Sequence, residues 1–135
     1  MEPLESSESE AEDRREVVLV LEDDFLVRWP TAEYLRDSGY RVIEAGSASE
    51  AMAVLSSGTH IDVVFSDVNL SGGLSGYEFA HWLGANHPGI PVLLTSGEAV
   101  STEAPVGVAF IPKPYMLIEV EQHIKGLGAS KHRAP

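Results

Sequence analysis

Five short apolar runs, alternating with segments of helical character, are the feature that most constrains the fold of this chain. The clearest run is VVLVL at 17–21, which is continuous and rich in β-branched residues, as expected of a strand covered on both faces. Similar runs follow at 41–44, 61–65, 90–94 and 108–111. Strands that alternate with helices in this way form a parallel sheet with helices on both faces. The sequence therefore predicts a doubly wound α/β fold with a five-stranded parallel sheet.

Four segments of the chain have the periodicity or the end signals of helices. They lie at 25–38, 47–57, 76–86 and 116–127. Ser47 and Glu50 have the spacing of a capping box, which predicts the start of the second helix. The stretch 95–107 contains Pro105 and is too short and too broken to predict a good helix.

Length and composition limit the classes of protein to which this chain can belong. The chain has 135 residues, enough for one domain with a real core. It has no cysteine, which excludes disulfides, thiolate metal sites and cysteine nucleophiles. Its apolar runs are far shorter than the about 20 residues of a membrane span, and Met1 is followed by acidic residues rather than by a secretory signal. We therefore expect a cytoplasmic protein without membrane contact.

The charge distribution argues against nucleic acid as a partner. The formal net charge is −12, whereas binding to phosphates needs lysine and arginine. Acidic residues are concentrated at the start of the chain, where we predict a disordered tail over residues 1–15. The domain itself is predicted over 16–127, followed by a flexible C-terminal tail over 128–135.

Polar side chains follow four of the five predicted strands. Glu22 and Asp23 come after the first, Asp67 after the third, Thr95 after the fourth and Lys113 after the fifth. Because the carboxyl ends of parallel strands meet at one edge of a sheet, where ligands bind in such folds, we expect these side chains to converge. Each residue alone has an ordinary explanation as a helix cap, a turn residue or an exposed lysine. Only the five residues taken together indicate a functional site.

This set predicts chemistry on phosphorus. Clustered carboxylates repel one another and either hold a proton or attract a cation, and oxygen ligands suit Mg²⁺. Asp67 can then act as a nucleophile that forms an aspartyl phosphate. Lys113 and the metal would neutralise charge on the phosphoryl group, while Thr95 could donate a hydrogen bond to it. The glycines after Asp67 would leave room for a phosphate donor.

Four motifs, in this order, resemble the receiver domain of bacterial two-component response regulators. They are VVLVLEDDFLVR, IDVVFSDVNLSGGLSGYEFA, PVLLTSG and FIPKPY, and the resemblance covers roughly residues 16–127. It implies the flavodoxin-like receiver fold with strand order 2-1-3-4-5. The chain between Thr95 and Lys113 is shorter than is usual in the family, which implies a fourth helix that is short or disordered.

The resemblance also implies a metal site and a phosphoacceptor. Asp67 matches the phosphoacceptor position. Asp23, Asp67 and the backbone carbonyl of Asn69 match the ligands of Mg²⁺, and Glu22 matches a position that supports the metal indirectly.

Three further residues match the phosphate-binding and switch positions of the family. Thr95 matches the switch hydroxyl, Lys113 the phosphate-binding lysine and Phe110 the switch aromatic. The bond between Lys113 and Pro114 matches one that is usually cis.

The function that this resemblance implies is a phosphoacceptor switch in a phosphorelay. Its partners would be a sensor histidine kinase or a histidine phosphotransfer protein, and an unknown downstream protein. It would not be an enzyme beyond self-catalysed phosphoacceptance and slow autodephosphorylation. The presence of Met1 favours a complete small protein over a receiver excised from a hybrid kinase.

Two other hypotheses remain open at the level of sequence. One is a pseudo-receiver, an interaction module that binds neither metal nor phosphate. The other is a phosphatase similar to the haloacid dehalogenases. Their nucleophile lies on the first strand in an Asp-x-Asp pattern, where this chain has Glu22, Asp23 and Asp24.

Overall fold

One parallel sheet of five strands forms the centre of the molecule. The computed structural model describes residues 15–133, with side chains through residue 128. The strands are β1 (Val17–Leu21), β2 (Arg41–Ala45), β3 (Val63–Asp67), β4 (Val92–Ser96) and β5 (Ala109–Pro112). They are ordered β2-β1-β3-β4-β5, and every neighbouring pair is parallel. The predicted fold class and strand order are confirmed.

Four helices connect or follow the strands. They are α1 (Phe25–Asp37), α2 (Ala48–Ser56), α3 (Gly76–Asn86) and α4 (Leu117–Arg133). The side chain of Asp24 caps α1 by accepting the Leu26 N–H at 3.0 Å. Ser75 begins α3 in a capping box, since its hydroxyl and the Glu78 carboxylate each accept the other's backbone N–H. Within residues 15–133 no helix is both long enough and apolar enough to span a bilayer.

The capping box predicted at the start of α2 is only half formed. The Ser47 hydroxyl accepts the Glu50 N–H at 3.1 Å, as predicted. The Glu50 carboxylate, however, accepts the N–H of Gly46 at 2.7 Å rather than that of Ser47. The Ser47 hydroxyl thus satisfies a backbone donor that the first turn leaves unpaired, whereas Glu50 binds the N–H of a residue that precedes the helix.

The last helix is longer than predicted. We expected it to end at residue 127, but α4 continues to Arg133, into the segment 128–135 predicted as a flexible tail. Gly126 and Gly128 lie within the helix, where a glycine costs only about 1 kcal/mol relative to alanine. The predicted acidic tail at 1–15, except Arg15, and residues 134–135 lie outside the described residues.

The connection between β4 and β5 contains no helix. Residues 97–108, all described, form an irregular loop with bends and turns, in place of the fourth helix that was predicted to be short or disordered. Two side chains of α3 hold this loop. The Tyr77 hydroxyl accepts the Ser101 N–H at 3.0 Å, and His81 Nε2 donates to the Glu103 carbonyl at 2.7 Å.

The core lies on both faces of the sheet. On one face, Leu19 and Leu21 of β1 pack with residues of α2 and α3. On the other, Val18 and Val20 pack with Leu35 of α1 and with residues of α4. Successive side chains of a strand point to opposite faces. The continuous apolar run of β1 is therefore explained by burial on both sides.

Candidate functional site

The polar residues singled out in the sequence lie together at the carboxyl edge of the sheet. Asp67 is the last residue of β3, and Thr95 is its register partner on β4. Glu22 directly follows β1, and Lys113 directly follows β5. The four strands run in the same direction, so their ends deliver these side chains to one place.

Asp67 is the centre of this group. Its side chain is buried, with 5% of its surface exposed. Its Oδ2 accepts a hydrogen bond from the Lys113 ammonium at 2.7 Å, and its Oδ1 accepts the Asn69 N–H at 2.9 Å. Asp67 is therefore held through both oxygens, one by a cation and one by the backbone that follows it.

Lys113 is positioned by the backbone of β5. Its N–H donates to the Ser96 carbonyl at 2.9 Å, which continues the pairing of β4 and β5 beyond Pro112. Burial alone would lower the pKa of the Lys113 ammonium, but the hydrogen bond and the charge of Asp67 raise that pKa above its ordinary value. The ammonium is therefore fully charged at neutral pH. The Lys113–Pro114 bond is cis, as predicted.

Glu22 is a buried acid whose proton affinity is strongly raised. Burial raises the pKa of its carboxyl to about 8, and hydrogen-bonding contacts with the carboxyls of Asp67 and Asp23 add to the rise. The Asp24 N–H, which donates to Oε2 at 3.0 Å, opposes it. The raised pKa favours the protonated form of Glu22 at neutral pH.

Asp23 is held by a residue that the sequence analysis did not single out. Its Oδ2 accepts two hydrogen bonds from Ser71, one from the N–H at 3.0 Å and one from the hydroxyl at 2.6 Å. These bonds hold the pKa of the Asp23 carboxyl below its ordinary value, although burial opposes them. No pattern in the sequence indicates which side chain a single serine of this loop contacts.

The glycines after Asp67 have structural roles. Gly72 and Gly73 have φ of +67° and +140°, which turn the loop back from Ser71 toward α3. A Cβ at Gly76 would lie 2.7 Å from the Cα of Val68 and would also overlap the Asp67 carbonyl oxygen. Only glycine allows α3 to start this close to the end of β3.

The Thr95 hydroxyl is an unsatisfied group beside Asp67. It is buried and has no hydrogen-bond partner among the described residues. An unsatisfied buried hydroxyl costs about 1–3 kcal/mol, so it is suited to meet an acceptor that arrives with a ligand. Phe110, the register partner of Leu94, is half-buried and packs against the cluster formed by Val68, Tyr77, Ala80 and Leu94. It lies one position along the strands from the pair of Thr95 and Ile111.

The donor set is compatible with Mg²⁺. No three acidic or histidine side chains among the described residues form a closed metal site. Mg²⁺ does not need one, because it is commonly held by one or two carboxylates together with waters and phosphate oxygens. Asp23 and Asp67 are the carboxylates that would hold the cation, and the Asn69 N–H donates to Oδ1 of Asp67.

Comparison with known proteins places this arrangement in a family. The family model for the response regulator receiver domain matches residues 18–125. The sensor kinase CckA of Brucella abortus is 32% identical over 114 residues, which are 80% of this chain and 12% of the kinase. The probable transcriptional regulatory protein TcrX of Mycobacterium tuberculosis is 30% identical over 115 residues, 82% of this chain and 48% of TcrX. The chain thus spans less than half of these relatives.

Solved structures agree with the family match. The receiver domain of the hybrid histidine kinase CckA superposes with a TM-score of 0.72 at 29% identity, covering 83% of this chain and 98% of that domain. A response regulator receiver protein from Sinorhizobium medicae has a TM-score of 0.81 at 21% identity, covering 87% and 98%, and supports the fold alone. This chain therefore belongs to the response regulator receiver domain family of two-component signalling.

Proposed function

We propose that this chain is a phosphoacceptor switch of a two-component phosphorelay, in which Asp67 takes a phosphoryl group from a phosphohistidine. The observation that carries the proposal is the contact of 2.7 Å between the Lys113 ammonium and a buried Asp67 that also touches Glu22. A carboxylate between a cation and other acids, at the edge where α/β sheets bind ligands, is suited to covalent chemistry with an anionic group.

The transfer exchanges one bond to phosphorus for another. A carboxylate oxygen of Asp67 attacks phosphorus, and the bond from phosphorus to the histidine nitrogen breaks, with its electron pair going to the nitrogen. Lys113 would leave its contact with the carboxylate to bind a phosphoryl oxygen. Mg²⁺, held by Asp23, Asp67 and the carbonyl of Asn69 with Glu22 in support, would neutralise the remaining charge.

The switch would begin at Thr95. Its hydroxyl lacks a partner, so a phosphoryl group on the neighbouring Asp67 would offer the missing acceptor. Movement of Thr95 would then repack Phe110 and the loop 97–108, which are linked through Tyr77. Phosphorylation would thus shift a two-state equilibrium, and the downstream partner would read the loop and its surroundings.

The donor would be a sensor histidine kinase or a histidine phosphotransfer protein. The family supports a kinase partner, and CckA, a sensor kinase, contains a region similar to this chain. Because the chain would supply the phosphoacceptor and its electrostatics, it would also accept phosphate from a small donor. It would return to the free state by slow autodephosphorylation.

Acetyl phosphate tests the proposal without a known kinase. On a Phos-tag gel with Mg²⁺, we expect one retarded band for the wild type, none for Asp67→Asn and none with excess EDTA. Asp37→Asn, which changes an exposed acid at the end of α1, should leave the band unchanged. Absence of a retarded band from folded wild-type protein would overturn the proposal.

The same purified protein also tests the two other hypotheses, a pseudo-receiver and a phosphatase. A pseudo-receiver would show no adduct and no change of tryptophan fluorescence on addition of Mg²⁺. A phosphatase would release phosphate from an ester over many turnovers. The contact of Lys113 with Asp67 on β3, rather than with an acid after β1, favours the receiver over the phosphatase.

A further inference from the structure

The contact between Ser71 and Asp23 fills one oxygen of the acid. A carboxylate oxygen accepts about two hydrogen bonds. Asp23 Oδ2 receives one from the Ser71 N–H at 3.0 Å and one from its hydroxyl at 2.6 Å. The second distance is that of a short, charge-assisted bond. Oδ2 is therefore saturated by a single residue that lies 48 positions away in the sequence.

We propose that Ser71 is a positioning residue that restricts Asp23 to one metal-binding oxygen and so makes the site selective for Mg²⁺ over Ca²⁺. This inference rests on the proposed function, since it assumes that Asp23 binds the metal. With Oδ2 occupied by Ser71, Oδ1 would be the oxygen that Asp23 offers to a cation. Asp23 would then bind the metal through one oxygen.

Coordination through one oxygen discriminates between the two ions. Mg²⁺ requires nearly octahedral geometry at short distances, which carboxylates supply through one oxygen each. Ca²⁺ accepts more ligands at longer distances, and carboxylates often bind it through both oxygens. A residue that blocks the second oxygen therefore lowers the affinity for Ca²⁺ more than the affinity for Mg²⁺.

The loop after Asp67 is built to place Ser71 over Asp23. Asp67 Oδ1 fixes the start of the loop through the Asn69 N–H at 2.9 Å. The positive φ angles at Gly72 and Gly73 then turn the chain away directly after Ser71. The loop thus connects the two acids proposed to bind the metal. Its first residues contact Asp67, whereas Ser71 contacts Asp23.

Removal of the hydroxyl tests the proposal through metal binding alone. In Ser71→Ala the backbone N–H still reaches Oδ2, but one lone pair becomes free and the carboxylate loses its orientation. We expect Mg²⁺ affinity to fall about tenfold, as is typical for groups that orient a metal ligand. Ca²⁺ affinity should fall less or rise. The preference for Mg²⁺ over Ca²⁺, measured as the ratio of the two dissociation constants, should therefore decrease. Ser71→Thr keeps the hydroxyl and should keep the wild-type ratio.

Calorimetric titration of the wild type and both variants with each ion measures these constants. Ser57→Ala is the matched control, because Ser57 is also exposed and its hydroxyl also makes a short bond, of 2.7 Å, to the Val54 carbonyl. Thermal unfolding in EDTA should give similar midpoints for all four proteins.

The outcomes separate this inference from the proposed function. If the wild type binds Mg²⁺ and Ser71→Ala leaves the ratio of the two constants unchanged, the role of Ser71 is overturned while phosphoacceptance by Asp67 stands. If the folded wild type binds no Mg²⁺, both this role and the proposed metal site are overturned.

Discussion

The Lys113 ammonium lies 2.7 Å from Oδ2 of Asp67, although the two residues are 46 positions apart and β4 lies between their strands. Neighbouring strands are about 4.8 Å apart, so the two backbones are separated by about 10 Å. The long side chain of lysine spans this distance along the edge of the sheet. The pair therefore depends on the strand order, on Lys113 directly following β5 and on the reach of the side chain.

Replacement of Lys113 by methionine should destabilise the metal-free protein. Asp67 would lose its cation while it remains buried beside Glu22, whose carboxyl already carries a raised pKa. We expect the free energy of unfolding to fall by about 1–2 kcal/mol. This loss is smaller than that for a fully buried ion pair, because Lys113 is partly exposed. Urea unfolding in EDTA measures this loss. Lys125→Met, which changes an exposed lysine of α4, should cost far less; equal losses would contradict a specific role for the pair.

Stability of the metal-free protein should fall as the pH rises from about 5 to 8. The pKa of Glu22 is about 8 in the folded state against 4.5 ordinarily, so in this range the folded state keeps a proton that the unfolded state has released. Folding then takes up a proton, and raising the pH opposes it. Each unit of pKa difference corresponds to about 1.4 kcal/mol, which makes the total effect on the order of a few kcal/mol.

Glu22→Gln isolates this contribution, because glutamine does not titrate. The difference in free energy of unfolding between the variant and the wild type should grow in favour of the variant from about pH 5 to pH 8. Glu103→Gln, at an exposed acid, should give a curve parallel to that of the wild type. A parallel curve for Glu22→Gln as well would mean that burial does not raise the proton affinity of Glu22.

Alanine should have opposite effects at two glycines of α3. At Gly76 a Cβ would meet the backbone of Asp67 and Val68, which cannot move aside, so we expect a loss of more than about 2 kcal/mol. At Gly84 a Cβ would meet nothing within 4 Å, and alanine should stabilise the helix by about 0.5–1 kcal/mol. Thermal unfolding of both variants checks the prediction. Similar effects at the two positions would refute the close approach of α3 to β3.

Replacement of Thr95 by valine should stabilise the unphosphorylated protein. The substitution removes a buried hydroxyl that lacks a partner among the described residues, and we expect a gain of about 0.5–1.5 kcal/mol. Thr31→Val is the control, because the Thr31 hydroxyl is also buried but donates to the Val27 carbonyl at 3.1 Å. That variant should lose stability in the same urea titration. A loss at Thr95 equal to that at Thr31 would show that the Thr95 hydroxyl has a partner after all.

The sequence predicted the convergence of Glu22, Asp67, Thr95 and Lys113 because parallel strands end at a common edge. It placed β3 two residues too early, at 61–65, since apolar character does not reveal where pairing starts. In the structure the Asp62 carboxylate accepts the Val17 N–H at 2.8 Å, and β3 begins only after it, at Val63. Side-chain bonds of this kind compete with strand pairing and leave little trace in hydrophobicity.

The contact of Ser71 with Asp23 could not be predicted from sequence. It depends on the positive φ angles at Gly72 and Gly73, whereas a glycine permits many conformations and specifies none of them. The conformation of the loop between β4 and β5 could not be predicted from the sequence either. Pro105 and Gly107 argued against a good helix, but not for the two contacts with Tyr77 and His81 that hold the loop to α3.

Location of the phosphoryl group tests the central claim most directly. Wild-type protein treated with acetyl phosphate and Mg²⁺ would be digested under mild conditions, and its peptides analysed by tandem mass spectrometry. The account predicts one modified peptide, with the phosphoryl group on Asp67. A phosphoryl group on Asp23, Glu22 or any other residue, or none on folded protein, would contradict it.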